Sequence, residues 1–112
     1  MPPIAPPGPL TPNQVRFLRQ EAHDLEPSVS GSESGYSEAF VAEVARQLGL
    51  RELIKVRLET EDRHAFAELA ARLATETSAT LVKTIGRVVV LYRPAAVPRL
   101  VLPAPREPES NG

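Results

Sequence analysis

Three stretches of the chain repeat their apolar residues at helical spacing. Val15, Leu18, Ala22 and Leu25 mark one face of a helix within residues 10–26. Thr11 suits its N-cap and Pro12 its first turn, and Gln14 completes a Thr-x-x-Gln capping box. Leu10 and Val15 are spaced for a hydrophobic staple, and Pro27 ends the segment. A second helix starts at the cap Ser37, with Glu38 in its first turn. Val41, Val44, Ala45 and Leu48 line its inner face, and Gly49 is placed to supply a left-handed stop. Thr60 is expected to cap a third helix, with Glu61 and Asp62 favourable against its dipole. Phe66, Leu69, Ala70 and Leu73 form its inner stripe.

The stretches between follow a period of two. "ELIKVRLET" (52–60) sends Ile54, Val56 and Leu58 one way and Lys55, Arg57 and Glu59 the other, a half-buried strand with a charged outer face. "TLVKTIGRVVVLYR" (80–93) is two β-rich runs around Gly86-Arg87, a pair that fits a type II′ hairpin turn. A short strand at 28–30 precedes the glycine-containing loop, and "RLVLP" (99–103) can add an edge strand. The order is an N-terminal helix followed by β-α-β-α-β-β. It predicts a two-layer α/β domain with a mixed four-stranded sheet.

Composition narrows the frame. The chain has 112 residues, suited to one domain, and its 12 prolines sit mostly at the two ends. The expected division is a disordered Pro-rich stretch at 1–9, a domain at 10–103 and a disordered tail at 104–112. Cysteine is absent, which excludes disulfides, thiolate zinc sites and cysteine nucleophiles. Neither a secretory signal nor a run approaching the ~20 apolar residues of a membrane span is visible, so a cytoplasmic protein is expected. The formal net charge is −1, so nucleic-acid binding would have to rest on local clustering of basic residues.

Several motifs then point one way. "LTPNQVRFLRQEAHDLEP", "ELIKVRL", "EDR", "TIGRVVVLYRP" and the closing "RLVLP" occur in the order and at the spacing of the YhbY-like, or CRM (chloroplast RNA splicing and ribosome maturation), RNA-binding domain. The chain resembles that family over about residues 10–103. The resemblance implies a fold similar to the C-terminal domain of bacterial translation initiation factor three. It also implies RNA binding, with association to precursors of the large ribosomal subunit. The family's glycine loop, usually Gly-x-x-Gly and often Gly-Lys-Asn-Gly, lies between the first strand and second helix. Here "VSGSESGYSEAF" (29–40) occupies that place. Ungapped alignment sets Ser32-Glu33-Ser34-Gly35 on the loop, with Ser32 for the first glycine and Glu33 for the usual lysine. A shift by one recovers Gly31 but gives Gly-x-x-x-Gly, and the lysine is lost either way.

Such a loop can meet phosphate, because small residues let a nucleic-acid backbone approach and N–H groups at a helix start point at the anion. Gly31, Ser32, Ser34 and Gly35 are the loop candidates, while Glu33 repels phosphate; the bland alternative is a flexible connector. The second candidate set is basic: Lys55 and Arg57 on one strand face, Arg87 at the hairpin tip and Arg93 ending the last strand, with Arg16 and Arg19 neighbours on the first helix. Each can equally be a solvated charge beside an acid such as Glu52 or Glu59. Tyr36, Tyr92 and Phe17 are candidates for base stacking, whereas Phe40 and Phe66 suit the core. His23 and His64 have no metal-ligand spacing, and no nucleophile–base pattern stands out. The expectation is a non-enzymatic RNA-binding domain without metal or cofactor, acting on ribosomal RNA in large-subunit assembly. The alternative is a protein-binding module on the same fold, favoured by Glu33, the pI of 6.1 and the proline-rich ends.

Overall fold

The computed structural model describes residues 10–104, so the ends expected to be disordered lie almost wholly outside the described residues. The elements are α1 (Pro12–Ala22), β1 (Pro27–Ser32), α2 (Glu38–Arg51), β2 (Leu53–Glu59), α3 (Arg63–Glu76), β3 (Thr80–Ile85) and β4 (Val88–Tyr92). The strands form one mixed sheet in the order β1-β2-β4-β3. β1 runs parallel to β2, while β4 is antiparallel to both β2 and β3. The α/β class, three helices and four mixed strands are those the periodicities predict. β4 takes an inner position because "VVVLY" is apolar on both faces, and all but Val88 are buried. Gly86 carries φ of 57° at the hairpin and Arg87 has no positive φ, the pattern of a type II′ turn.

Each face of the sheet carries its own core. On one face, Val44 and Leu48 of α2 and Phe66, Leu69 and Leu73 of α3 pack on Ile54, Val56, Leu58, Val89 and Leu91. On the other, Leu18 and Ala22 of α1 cover Leu53, Val82, Val90 and Tyr92. The two expected layers therefore become three. The reason lies in β2, whose outer face begins with buried Leu53 before it turns basic at Lys55 and Arg57. α1 settles on the apolar half of that face and leaves the basic half open.

Local boundaries follow capping chemistry, with four departures from the sequence reading. α1 ends at Ala22, and Pro27 opens β1 instead of closing the helix. α2 runs through Gly49 to Arg51, and the left-handed residue is Glu52, with φ of 70°. α3 is capped by Asp62, whose side chain accepts from the Ala65 N–H at 2.8 Å; Thr60 is buried two residues upstream and its hydroxyl donates to the Asp62 carbonyl. The α3 C-terminus is a complete Schellman motif built on Ser78 (φ 58°), with Ala79 N–H donating to Ala74 and Ser78 N–H to Thr75.

The fourth departure is "RLVLP", which forms no strand. Leu100 and Leu102 pack against the α1-side core, and the backbone polar groups go to side chains instead of to a sheet edge. Glu52 is 1% exposed, and its carboxylate accepts from the Arg99 N–H at 2.8 Å and the Leu100 N–H at 3.2 Å. The Arg99 guanidinium donates to the same carboxylate and to the Leu50 carbonyl. Beyond it, the carbonyls of Pro103 and Ala104 accept from Gln14 and Asn13 in the first turn of α1. Gln14 also accepts the Thr11 N–H at 3.1 Å, its part of the capping box.

Candidate nucleic-acid interface

The glycine loop is shorter than its sequence suggests. β1 extends to Ser32, so Gly31 lies in the strand opposite Leu58. A Cβ on Gly31 would stand 2.4 Å from the Phe40 ring, so this glycine lets an aromatic residue of α2 close over the strand. Its role is packing, and it is not part of the loop. The turn proper is Ser32-Glu33-Ser34-Gly35, the ungapped register. The Gly35 N–H donates to the Ser32 carbonyl at 3.1 Å and to its hydroxyl at 3.0 Å, and Ser34 Oγ lies 3.3 Å from Ser32 Oγ. Ser37 then caps α2 by accepting from the Phe40 N–H.

The loop's surroundings are acidic. Glu33, Glu59 and Glu61 line one shallow depression with Ser32 and Ser34. Arg57 and Arg87 both lean on Glu59, at 3.9 and 3.7 Å, and Arg87 also donates to the Thr60 carbonyl. These two cations thus stand at the loop's end of the sheet, partly neutralised.

Other candidates are committed elsewhere. Arg93 donates to the carbonyls of Thr77 at 2.8 Å and Ala45 at 2.9 Å, tying the end of β4 to α2 and the α3 C-terminus. It sits at the opposite end of β4 from the Gly86 hairpin and acts as a structural clamp. Tyr92 is buried beneath α1 and cannot stack on a base; burial also raises its phenol pKa. Tyr36 donates to Glu76 at 2.6 Å and lies under the Arg72 guanidinium, 4.5 Å from its ring centroid. Desolvation and the Glu76 hydrogen bond push its pKa up to about 12. Phe17 packs half-buried on the α1-side core.

What the fold does bring together is a basic surface on the half of the sheet that α1 leaves uncovered. Lys55, Val90 and Lys83 form one cross-strand row, and Arg57, Val88 and Ile85 form the next. Ser30 lies opposite Arg57 on β1 and extends that row. Arg16, Arg19 and His23 of the α1 region share a depression of about 390 Å³ with Lys83, with Asp24 the one acid there. Lys55 Nζ donates to the His23 carbonyl at 3.4 Å, joining strand and helix. Ion pairs among the described residues engage Arg46, Arg57, His64, Arg72, Arg87 and Arg99; Arg16, Arg19, Lys55 and Lys83 make none. Lys83 escapes the sequence reading because its face is set by a register shift between Leu81 and Lys83. No periodicity shows such a bulge.

Residues 10–93 match the CRS1/YhbY (CRM) domain. The chain belongs to that family. This CRM domain is 37% identical over 94 residues to an RNA-binding protein of Haemophilus influenzae, spanning 84% of this chain and 95% of that one. It is 36% identical over 84 residues to the probable RNA-binding protein YqeI of Bacillus subtilis, covering 75% and 88% of the two chains. A solution structure of a hypothetical protein from Staphylococcus aureus superposes with a TM-score of 0.69 at 34% identity, covering 78% of this chain and 91% of that one. Among the described residues no group of three or more metal-ligating side chains converges, and no helix is long and apolar enough to cross a membrane.

Proposed function

We propose that this CRM domain binds structured RNA without catalysing a reaction, in the cytoplasm, on large-subunit ribosomal RNA or its precursors during ribosome assembly. The observation that carries RNA binding is the basic surface of Arg16, Arg19, Lys55 and Lys83, none of them ion-paired among the described residues. Four cations on one face of a chain with net charge −1 is the local clustering that phosphate recognition requires. The names of the relatives support RNA as the partner, and the family resemblance supports the ribosomal assignment. Cations spread over a helix and two strands suit recognition by backbone and shape, the mode that A-form RNA imposes. Ser32, Ser34, Gly35, Arg57 and Arg87 then form the margin of this surface. The acidic Glu33, Glu59 and Glu61 there set a boundary that phosphate avoids.

Titration with a structured ribosomal RNA fragment at several salt concentrations tests this. Each phosphate contact contributes roughly −0.7 to −0.9 to the log–log slope. Lys55→Glu with Lys83→Glu is expected to reduce that slope by about two contacts and to weaken binding to unrelated structured RNAs alike. Unchanged affinity at low salt would refute the assignment of the surface. Crosslinking in cells followed by sequencing tests the ribosomal part, and reads spread over messenger RNA would refute it.

A further inference from the structure

The face opposite the basic surface holds a groove between α2 and α3. Its floor is apolar and low, with Val41, Ala42, Ala65 and Leu69 presenting short or branched side chains between the two helices. Its volume is about 880 Å³, and Tyr36 lines it, fixed by Glu76 and Arg72. The charged residues on its walls are Glu33, Glu38, Glu68 and Glu76 against Arg72 alone, and Arg72 is itself paired with Glu76 at 3.0 Å. A groove this acidic rejects RNA backbone, so it does not belong to the surface described above.

We propose that this groove docks a basic amphipathic helix of a protein partner, a segment with Leu-type residues on one face and Lys or Arg on its flanks. Charge complementarity selects the flanks: carboxylates on both helices face a groove that the protein leaves short of cations. Ala42 and Ala65 allow a helix backbone to come close, while Val41, only partly buried, offers apolar contact beside the core residue Leu69, which is the helix-in-groove mode of recognition. Because the groove and the basic surface lie on opposite sides of the sheet, a partner and an RNA can be held together. The inference does not depend on RNA binding, since its test contains no RNA.

The probe is a synthetic helical peptide of leucine and lysine with apolar residues at helical spacing, titrated into the full chain and followed by amide chemical shifts. Shifts are expected at Val41, Ala42, Leu69 and Arg72. Glu38→Lys with Glu68→Lys, both exposed, is expected to weaken binding roughly tenfold, the size that reversing two rim charges produces. Glu21→Lys with Glu26→Lys makes the same change in net charge away from the groove and is expected to alter affinity less than about twofold. A peptide with glutamate in place of lysine is expected not to bind. Equal losses in the two double variants would mean bulk attraction and overturn the proposal. Shifts confined to the Glu33–Glu61 depression, or absent from α2 and α3, would overturn it too. Thermal melts of both variants establish that they are folded.

Discussion

Glu52→Gln removes one negative charge from the interior and almost nothing else. In the native protein both carboxylate oxygens are used: Oε2 accepts from Arg99 N–H at 2.8 Å and Oε1 from Leu100 N–H at 3.2 Å. A glutamine has one accepting oxygen, so its amide NH₂ must face a backbone N–H whichever way it turns. One charge-assisted hydrogen bond is lost, contributing about 1.5–3 kcal/mol, and the other falls toward the ~1 kcal/mol of a neutral bond. The expected destabilisation is about 2–3 kcal/mol, and about 3–5 kcal/mol for Glu52→Ala, which leaves both donors unanswered. Urea unfolding followed by circular dichroism measures both. The decisive comparison is the same Gln substitution in a chain ending at Pro98, which lacks the donors Arg99 and Leu100. There the carboxylate has lost those partners, and the substitution is expected to cost less than about 0.5 kcal/mol. Equal cost in the long and short chains would show that Glu52 does not act through the C-terminal segment.

Three further outcomes follow from other contacts. Gly31→Ala is expected to destabilise by about 1–2 kcal/mol because its Cβ displaces the Phe40 ring, and Phe40→Ala in the same chain removes most of that increment in a double-mutant cycle. Tyr36, with its pKa raised from 10.0 to about 12, and Tyr92, also raised, are the two tyrosines of the chain, so absorbance of tyrosinate is expected to stay low near pH 10. A phenol whose folded pKa exceeds its unfolded one holds its proton more tightly when folded. Its contribution is therefore whole below about pH 10 and lost as pH rises toward 12, which unfolding midpoints across that range test. Glu33→Lys is expected to raise RNA affinity at low salt, with a gain that shrinks as salt rises, and to shift stability by no more than about 0.5 kcal/mol; equal affinity of the two proteins at low salt would place the loop away from the RNA.

Much of the fold was legible because its signals are local. The staple and capping box of α1, the Ser37 cap and the Gly86 turn each depend on residues within a few positions of one another. Asp62 in place of Thr60 as the α3 cap is a local miss, but the larger failures come from contacts that no window contains. Gly49 looked like a stop, but α2 continues until Glu52, whose left-handed backbone is accompanied by bonds to a segment nearly fifty residues away. "RLVLP" alternates well enough to read as a strand, yet the α1-side core and Glu52 claim its side chains and amides. At the site, Lys55 and Arg57 were readable from strand alternation, and the basic residues of α1 from helical spacing. Their union into one surface with Lys83 depends on a bulge and on where α1 lands. Arg93 and Gly31 looked functional because residue type carries the signal in a sequence, whereas accessibility and packing decide the role.

The C-terminal segment bears on how the protein comes into being. Asn13 and Gln14 at the start of α1 meet the carbonyls of Ala104 and Pro103 across separations of 91 and 89 residues. During synthesis of the domain, α1 is made about ninety residues before the backbone that holds its opening turn. The layer of α2 and α3 has β1 and β2 close at hand in sequence and is completed by the β3–β4 hairpin, whereas α1 needs the segment beyond β4 as well. Contacts that close so long a loop form late, because their entropy must be met before they return anything. The first helix of the domain is thus the last to be seated. The cations it shares with Lys83 become one surface only when synthesis of the domain is nearly done.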